Sequence, residues 1–280
     1  MSRDDRKILT VFVPVFGLSP YLDSCLASLK EFEQVLDVVV LEDFPSEISN
    51  RQILNEYGFR HIMHQANLGL VSNFNFARDY AETPFFLIIG PDDELVGDFF
   101  ALTNVLEDFV ASKTLFYLET EVIDENGAPF NSLRERMKFL ISSVAGKSPK
   151  SQLRSLMIGY WPFSPGVVWP TKGRGLRYRS QFMLVADFCL LAEHLLDGFV
   201  LKKATSKSVL RYRRHTRSIS GDKNAWKKTR AEEIALYKFL QEPMFEKRYL
   251  SAFFFSFLQP TSRIFFLLRR IGSMLSERQR

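Results

Sequence analysis

Three largely apolar runs, each ending in a proline or in acids, constrain this chain more than any other feature. Residues 8–15 read ILTVFVPV, residues 35–43 VLDVVVLED and residues 85–89 FFLII, the last running into Gly90-Pro91-Asp92-Asp93. Continuous apolar runs suit parallel strands covered on both faces. Between them, Ser19-Pro20 supplies an N-cap and a first-turn proline for a helix over about 20–31. A second helix around 46–57 leads to a short strand, FRHIM (59–63), and NLGLVSNFNFARDYAETP reads as a loop into a helix. This βαβα order predicts an α/β fold with a mostly parallel central sheet flanked by helices. In such sheets ligands bind beyond the carboxyl ends of the strands. Pro14-Val15, Glu42-Asp43 and Asp92-Asp93 therefore fall on one rim.

The second half is less regular. It offers a helix over 95–111, a strand TLFYLETEVID (114–124), a turn at Glu125-Asn126-Gly127 and an aromatic, Pro/Gly-rich stretch within 130–175. An amphipathic helix over 184–197 precedes VLRYRRHTRSIS (209–220), a strand leading into a loop. With 280 residues the chain suits one large domain, or one with an appendage. Cys25 and Cys189 lie far apart, match no metal or redox spacing and read as buried thiols of a reducing cytoplasm. The charged N-terminus runs straight into a strand and does not read as a signal peptide, and no segment reaches the roughly 18 apolar residues of a membrane span. The closest approach, LSAFFFSFL (250–258), is cut by Gln259-Pro260. The net charge of +5, concentrated as lysines and arginines within 202–230, does not by itself separate nucleic acid, anionic lipid and phosphorylated ligands.

Two readings of Asp92-Asp93 stand side by side. Either acid could cap a helix beginning near Leu95. Alternatively, carboxylates held at a strand end clamp Mg²⁺ or Mn²⁺, which take hard oxygen ligands along with substrate phosphates and water. The order of motifs matches a family in which the second reading applies. TVFVPVF, VVVLEDFPSE, NLGLVSNFNFARDYA and FFLIIGPDDEL together resemble the N-terminal half of the family-two glycosyltransferases of GT-A fold, over about 8–100 and again over 187–220.

The resemblance implies that Pro14, Val15 and Phe16 line the base pocket of a nucleotide sugar. Asp43 then meets the base or ribose, with Glu42 in the place of the acid before it. Asn67 and Gly69 match the turn under the nucleotide, and Asn75 stands within the following motif, where Phe74 and Ala77 replace the usual Arg and Gly. Asp92 matches the metal-ligating end of Asp-x-Asp, with Asp93 as a weaker helper. Gly90 departs from the pattern by standing where the first acid usually stands. Asp187, in FMLVADFCLLAEHLLDG, matches the general base of inverting members, although Ala186 replaces the Glu before it. From the residues alone, Asp187 is a carboxylate at the edge of an apolar helix face, which needs a partner or a task. Tyr212, Arg213, His215 and Ser218 match an element whose His reaches the metal or diphosphate and whose Arg meets the nucleotide sugar. The implied domains are a catalytic domain over 1–220 (nucleotide-sugar half 1–100, acceptor half 101–220) and a basic, helical extension over 221–280.

Other features have plainer readings. His61 and His64 flank a short strand, and His194 is expected on a solvated helix face. Trp161 and Trp169, in GYWPFSPGVVWP, suit core packing and stacking on a sugar ring equally. In the C-terminal stretch Ile264, Leu267, Leu268, Ile271 and Leu275 share one helix face opposite Arg269 and Arg270. That pattern suits a helix packed on the catalytic domain or an in-plane anchor on an anionic membrane. The expected reaction moves a sugar from a nucleotide-diphosphate sugar to a glycan or lipid-linked saccharide, with inversion and with Mn²⁺ or Mg²⁺, at the cytoplasmic side of a membrane and without nucleic acid. A nucleotidyltransferase is the enzymatic alternative, although PVFGLSPYL lacks the basic, Gly-rich loop that would hold a triphosphate. A non-catalytic nucleotide- or carbohydrate-binding relative is the other.

Overall fold

The computed structural model describes residues 7–43, 48–171, 175–204, 207, 209–215, 218, 225–259 and 263–264. The expected C-terminal helix beyond Ile264, and Arg217 and Lys223 of the basic stretch, lie outside the described residues. The chain forms two compact units, one of residues 1–131, 162–183 and 201–215, the other of 132–161, 184–200 and 216–280.

In the first unit the apolar runs become strands of one sheet. They are β1 (Leu9–Val15), β2 (Leu36–Glu42), β3 (Arg60–Met63) and β4 (Phe85–Ile88), joined through α1 (Leu22–Lys30), α2 (Ile48–Tyr57) and α3 (Leu70–Tyr80). After β5 (Glu94–Val96) and α4 (Phe99–Glu107) come β6 (Thr114–Tyr117) and β7 (Glu119–Ile123). Across the chain follow α5 (Leu133–Ser143), α6 (Pro149–Ile158), β8 (Val167–Pro170), α7 (Ala186–Leu196), β9 (Val200–Lys203), β10 (Val209–Arg213), α8 (Ala225–Glu246) and α9 (Leu250–Leu258). The main sheet runs β3-β2-β1-β4-β8-β6-β9, with β1 to β4 mutually parallel and β8 antiparallel to both its neighbours. Leu9, Val11, Phe12 and Val13 of β1 are buried on both faces of the sheet, as unbroken apolar strands require.

Two elements differ from the sequence reading. The helix expected over 95–111 is shorter, because Glu94–Val96 pair with β10 as a strand and Asp98 caps α4 by accepting from Ala101 N at 2.8 Å. The strand expected over 114–124 is two strands in two sheets. β6 joins the main sheet, whereas β7 joins a small one ordered β5-β10-β7, and between them Leu118 N donates to Gly166 O at 2.8 Å. The stretch 130–175, for which the sequence offered no regular element, holds α5, α6 and β8.

The second unit is helical. α6 begins with a capping box between Ser148 and Ser151, and α9 packs on α6 and α8. Phe188 of α7 stacks on Tyr160 at 4.9 Å and meets the edge of Tyr237 at 5.8 Å. His194 is a correction. It is buried, with Nδ1 2.8 Å from Leu190 O and its ring against Phe199, because α7 is apolar nearly all round. Trp161 and Trp169 are also buried, so both are core residues rather than sugar platforms. Cys25 and Cys189 are buried thiols, as expected.

Candidate functional site

The rim of the parallel sheet collects the expected residues through register. Val15 lies opposite Glu42, and Glu42 opposite Met63, so β1, β2 and β3 end together. β4 stops earlier, with Phe12 opposite Ile88 and Ile89 N donating to Phe12 O at 3.0 Å. Pro14 projects its imide toward the same side two residues on, where β4 has ended. Its missing N–H therefore leaves no ladder bond unmade. Phe16 follows, 64% exposed on the rim.

Asp43, Asn67 and Gly69 come together. The buried Asp43 carboxylate accepts from Leu68 N at 2.6 Å and Gly69 N at 3.0 Å, while Asp43 N donates to Val15 O at 2.8 Å. Asn67 Oδ1 also accepts from Gly69 N, at 2.7 Å. Gly69 has φ +75°, a left-handed conformation that favours glycine, and starts α3. Asp43 thus ties the end of β2 to the loop entering α3. Glu42 is buried beside it, its Oε2 3.1 Å from His61 Nε2, and His64 N donates to Glu42 O at 3.0 Å. Asn75 is employed differently. Its amide donates to Tyr178 O at 2.8 Å and accepts from Tyr178 N at 3.0 Å, so it pins a loop rather than facing the rim.

Asp92 and Asp93 part company within one turn. Asp93 N donates to Gly90 O, and the Asp93 carboxylate accepts from Gly90 N and Arg213 N, each at 3.1 Å. Burial, followed by the neighbouring Asp92 charge, pushes the Asp93 carboxyl well above the usual range, against the pull of those two N–H groups. Asp93 is a clip between the turn and β10. Cys25 Sγ donates to Gly90 O at 3.6 Å, and burial together with the nearby acids pushes its thiol up, which keeps it protonated. Asp92 points elsewhere, its Oδ2 2.7 Å from His215 Nε2, with both side chains still partly open to solvent.

Arg213 builds the frame around that pair. Its Nε donates to Asp92 O at 3.0 Å, Nη1 to Asp124 O at 3.2 Å, and Nη2 to the Glu94 carboxylate. The guanidinium lies 4.7 Å from the centre of the Tyr21 ring, and Tyr21 sits 5.1 Å from the His215 ring. Arg213 is therefore committed to protein partners. Sequence reasoning missed Tyr21 and Glu94, because their connection to Arg213 and His215 spans more than a hundred residues and leaves no local pattern.

Gly90 fits the same frame. A Cβ at this position would fall far inside contact distance of Asp92 Oδ1 and 3.1 Å from Asp93 Oδ2, so the glycine makes room for the Asp92 carboxylate. The departure from Asp-x-Asp is thus a packing requirement of this turn. The Asp92 and His215 donors fit a divalent cation that draws its other ligands from phosphate and water. Among the described residues no cluster of three His, Cys, Asp or Glu would enclose a cation without them. Asp187 stands half-buried in the first turn of α7, in the helical unit, where the positive end of the helix favours a carboxylate.

A family model described as glycosyl transferase family 2 matches residues 10–159. A curated relative, the teichoic acid poly(glycerol phosphate) polymerase of Staphylococcus epidermidis, is 29% identical over 107 residues, which are 36% of this chain and 15% of that protein. Among solved structures, TarS of S. aureus in complex with UDP superposes with a TM-score of 0.56 at 17% identity, covering 85% of this chain and 72% of that one. TarS in complex with UDP-GlcNAc gives 0.58 at 17% identity, over 83% and 66%. At these identities the likeness shows the fold, a mixed α/β sheet flanked by helices as the sequence predicted.

Proposed function

The chain belongs to glycosyl transferase family 2, and we propose that it transfers a sugar, with inversion, from a nucleotide-diphosphate sugar to a glycan or lipid-linked saccharide. The observation that carries this reading is the Asp92–His215 pair, 2.7 Å apart on a rim that also holds Phe16, Asp43, Asn67 and Gly69. Phe16 offers an exposed ring to a base, and Asp43 retains lone pairs for a base or ribose donor beyond its two backbone partners. The UDP and UDP-GlcNAc complexes of TarS support a uridine donor.

Asp92 and His215 would hold Mn²⁺ or Mg²⁺. Family members of this fold usually use a divalent metal, and here it would offset the charge that develops on the departing diphosphate. The chain's own residues do the rest. Arg213, Tyr21 and Glu94 fix the direction of Asp92 and His215 before the donor arrives, so little reorganisation accompanies binding. Asp93, kept as a clip by its two N–H donors, is not needed as a ligand. Asp187 accepts the proton of the acceptor hydroxyl as that oxygen attacks the anomeric carbon from the face opposite the diphosphate. One C–O bond forms as the other breaks, and no glycosyl-enzyme arises.

A polymer or lipid-linked acceptor agrees with the polymerase relative, and an anionic membrane surface is the partner that this reading adds. Among the described residues, no helix is long and apolar enough to cross a membrane. The test is mass spectrometry of reactions with a panel of nucleotide sugars, with Mn²⁺ and with chelator. Sugar transfer or donor hydrolysis that needs the metal supports the reading. Binding without turnover of any donor would favour a non-catalytic relative.

A further inference from the structure

α9 is turned inside out relative to a helix that meets water. Ala252, Ser256 and the capping Gln259 form its buried side. They pack toward α6 and α8, where Gln241 Nε2 donates to Ser256 Oγ at 3.2 Å and Arg230 donates to Gln259 Oε1 at 2.7 Å. The outward side repeats at 250, 254, 257 and 258. Leu250 and Phe254 are each 60% exposed, Phe257 50% and Leu258 42%. Phe245, 61% exposed at the end of α8, extends this stripe across the turn, its ring 5.5 Å from Phe253. Solvated helices place polar residues there, and a contiguous exposed stripe of large apolar groups marks a surface made to be covered.

The charge around the stripe identifies what covers it. Neither α6 nor α9 carries an acid, and the chain from Lys247 to Ser276 contains none. Lys150 and Arg154 are exposed on α6, and Lys150 lies over the Tyr249 ring at 5.6 Å. Lys247 and Arg248 are exposed in the α8–α9 turn, and Arg263, also exposed, donates to Phe257 O at 3.0 Å at the far end. Acids near this face are Glu242 and Glu246 on α8 and Asp197, whose charge reaches Tyr249. Phenylalanines bordered by cations match the two layers of an anionic bilayer surface, acyl chains beneath and phosphate headgroups above.

We propose that the outward face of α9, with Phe245, is a membrane-docking surface, seating Phe254 and Phe257 at the headgroup–acyl boundary of an anionic leaflet. It deepens the membrane partner named above but rests on the outward face of α9 with Phe245 and the cations beside it, independent of Asp92 or Asp187, so the two readings fail separately. The full chain is co-sedimented with vesicles of phosphatidylglycerol and phosphatidylcholine, or of phosphatidylcholine alone, at low and high salt. Phe254→Glu/Phe257→Glu substitutes two exposed side chains, so circular dichroism and thermal unfolding should match the parent. The parent binds anionic vesicles and is weakened by salt, and the double variant loses about tenfold or more in partitioning. Lys150→Glu/Arg154→Glu weakens binding to anionic vesicles as well. Three results overturn the proposal. One is a parent protein that stays in the supernatant with anionic vesicles. Another is a phenylalanine variant that binds as the parent does, and loss of binding in Arg269→Glu/Arg270→Glu then makes the tail the anchor. The third is a dimer in light scattering that the phenylalanine variant splits, without vesicle binding, which makes a second copy the occupant.

Discussion

Gly90→Ala adds one methyl group at the point where the chain departs from its family's acid motif. Gly90 is outside the left-handed region, so alanine brings no backbone strain. The new Cβ would overlap Asp92 Oδ1, and ordinary contact begins at 3.4 Å. The carboxylate must therefore retreat by about 1 Å or rotate. Asp93 Oδ2, at 3.1 Å from the Cβ, has less to yield, and its bonds to Gly90 N and Arg213 N hold it in place. Asp92 moves, and its 2.7 Å approach to His215 is lost. A misplacement of about 1 Å in a reacting constellation costs roughly 10²-fold. The expected outcome is a fall of about that size in metal-dependent turnover, with Mn²⁺-dependent UDP binding weakened in calorimetry and little change in the thermal midpoint. Wild-type turnover and Mn²⁺ affinity in a folded Gly90→Ala would refute the reasoning, since the space beside Asp92 would then be idle.

Three further substitutions separate chemistry from scaffold. Asp187→Asn keeps the shape but cannot accept a proton, so kcat should fall by roughly 10²–10⁴ with donor affinity unchanged, and turnover within tenfold of wild type would make Asp187 structural. Asn75→Ala removes both bonds to Tyr178 and should cost about 1–3 kcal/mol in urea unfolding while UDP affinity stays the same. Asp98→Ala deletes the cap of α4 and should cost about 1 kcal/mol, a fall of about 2 °C in the thermal midpoint, with full activity.

How much the sequence disclosed follows from how local each signal is. β1, β2 and β4 are legible because burial on both faces demands largely apolar runs, and the rim follows from their common direction. Asp43, Asn67 and Gly69 sit close together because one strand end and one loop carry them. Leu95 and Val96 looked like the start of a helix because their partner, β10, is more than a hundred residues away and leaves no local trace. Residues 114–124 looked like one strand because a change of sheet at Leu118 alters partners, not periodicity. His194 looked solvated because an amphipathic template does not describe a helix buried nearly all round. Arg213 and Asn75 were found by motif, but the bonds they make are tertiary facts. Gly90 looked like a lost ligand until the Asp92 carboxylate was seen to need its space.

The anomeric configuration of the sugar released or transferred at the earliest times, followed by proton NMR with an α-linked nucleotide sugar and Mn²⁺, tests the central claim most directly. Attack by an oxygen that Asp187 deprotonates, on the face opposite the diphosphate, predicts that the first product is the β anomer. A first product with the α configuration would mean retention, and it would contradict both direct displacement and the role given to Asp187.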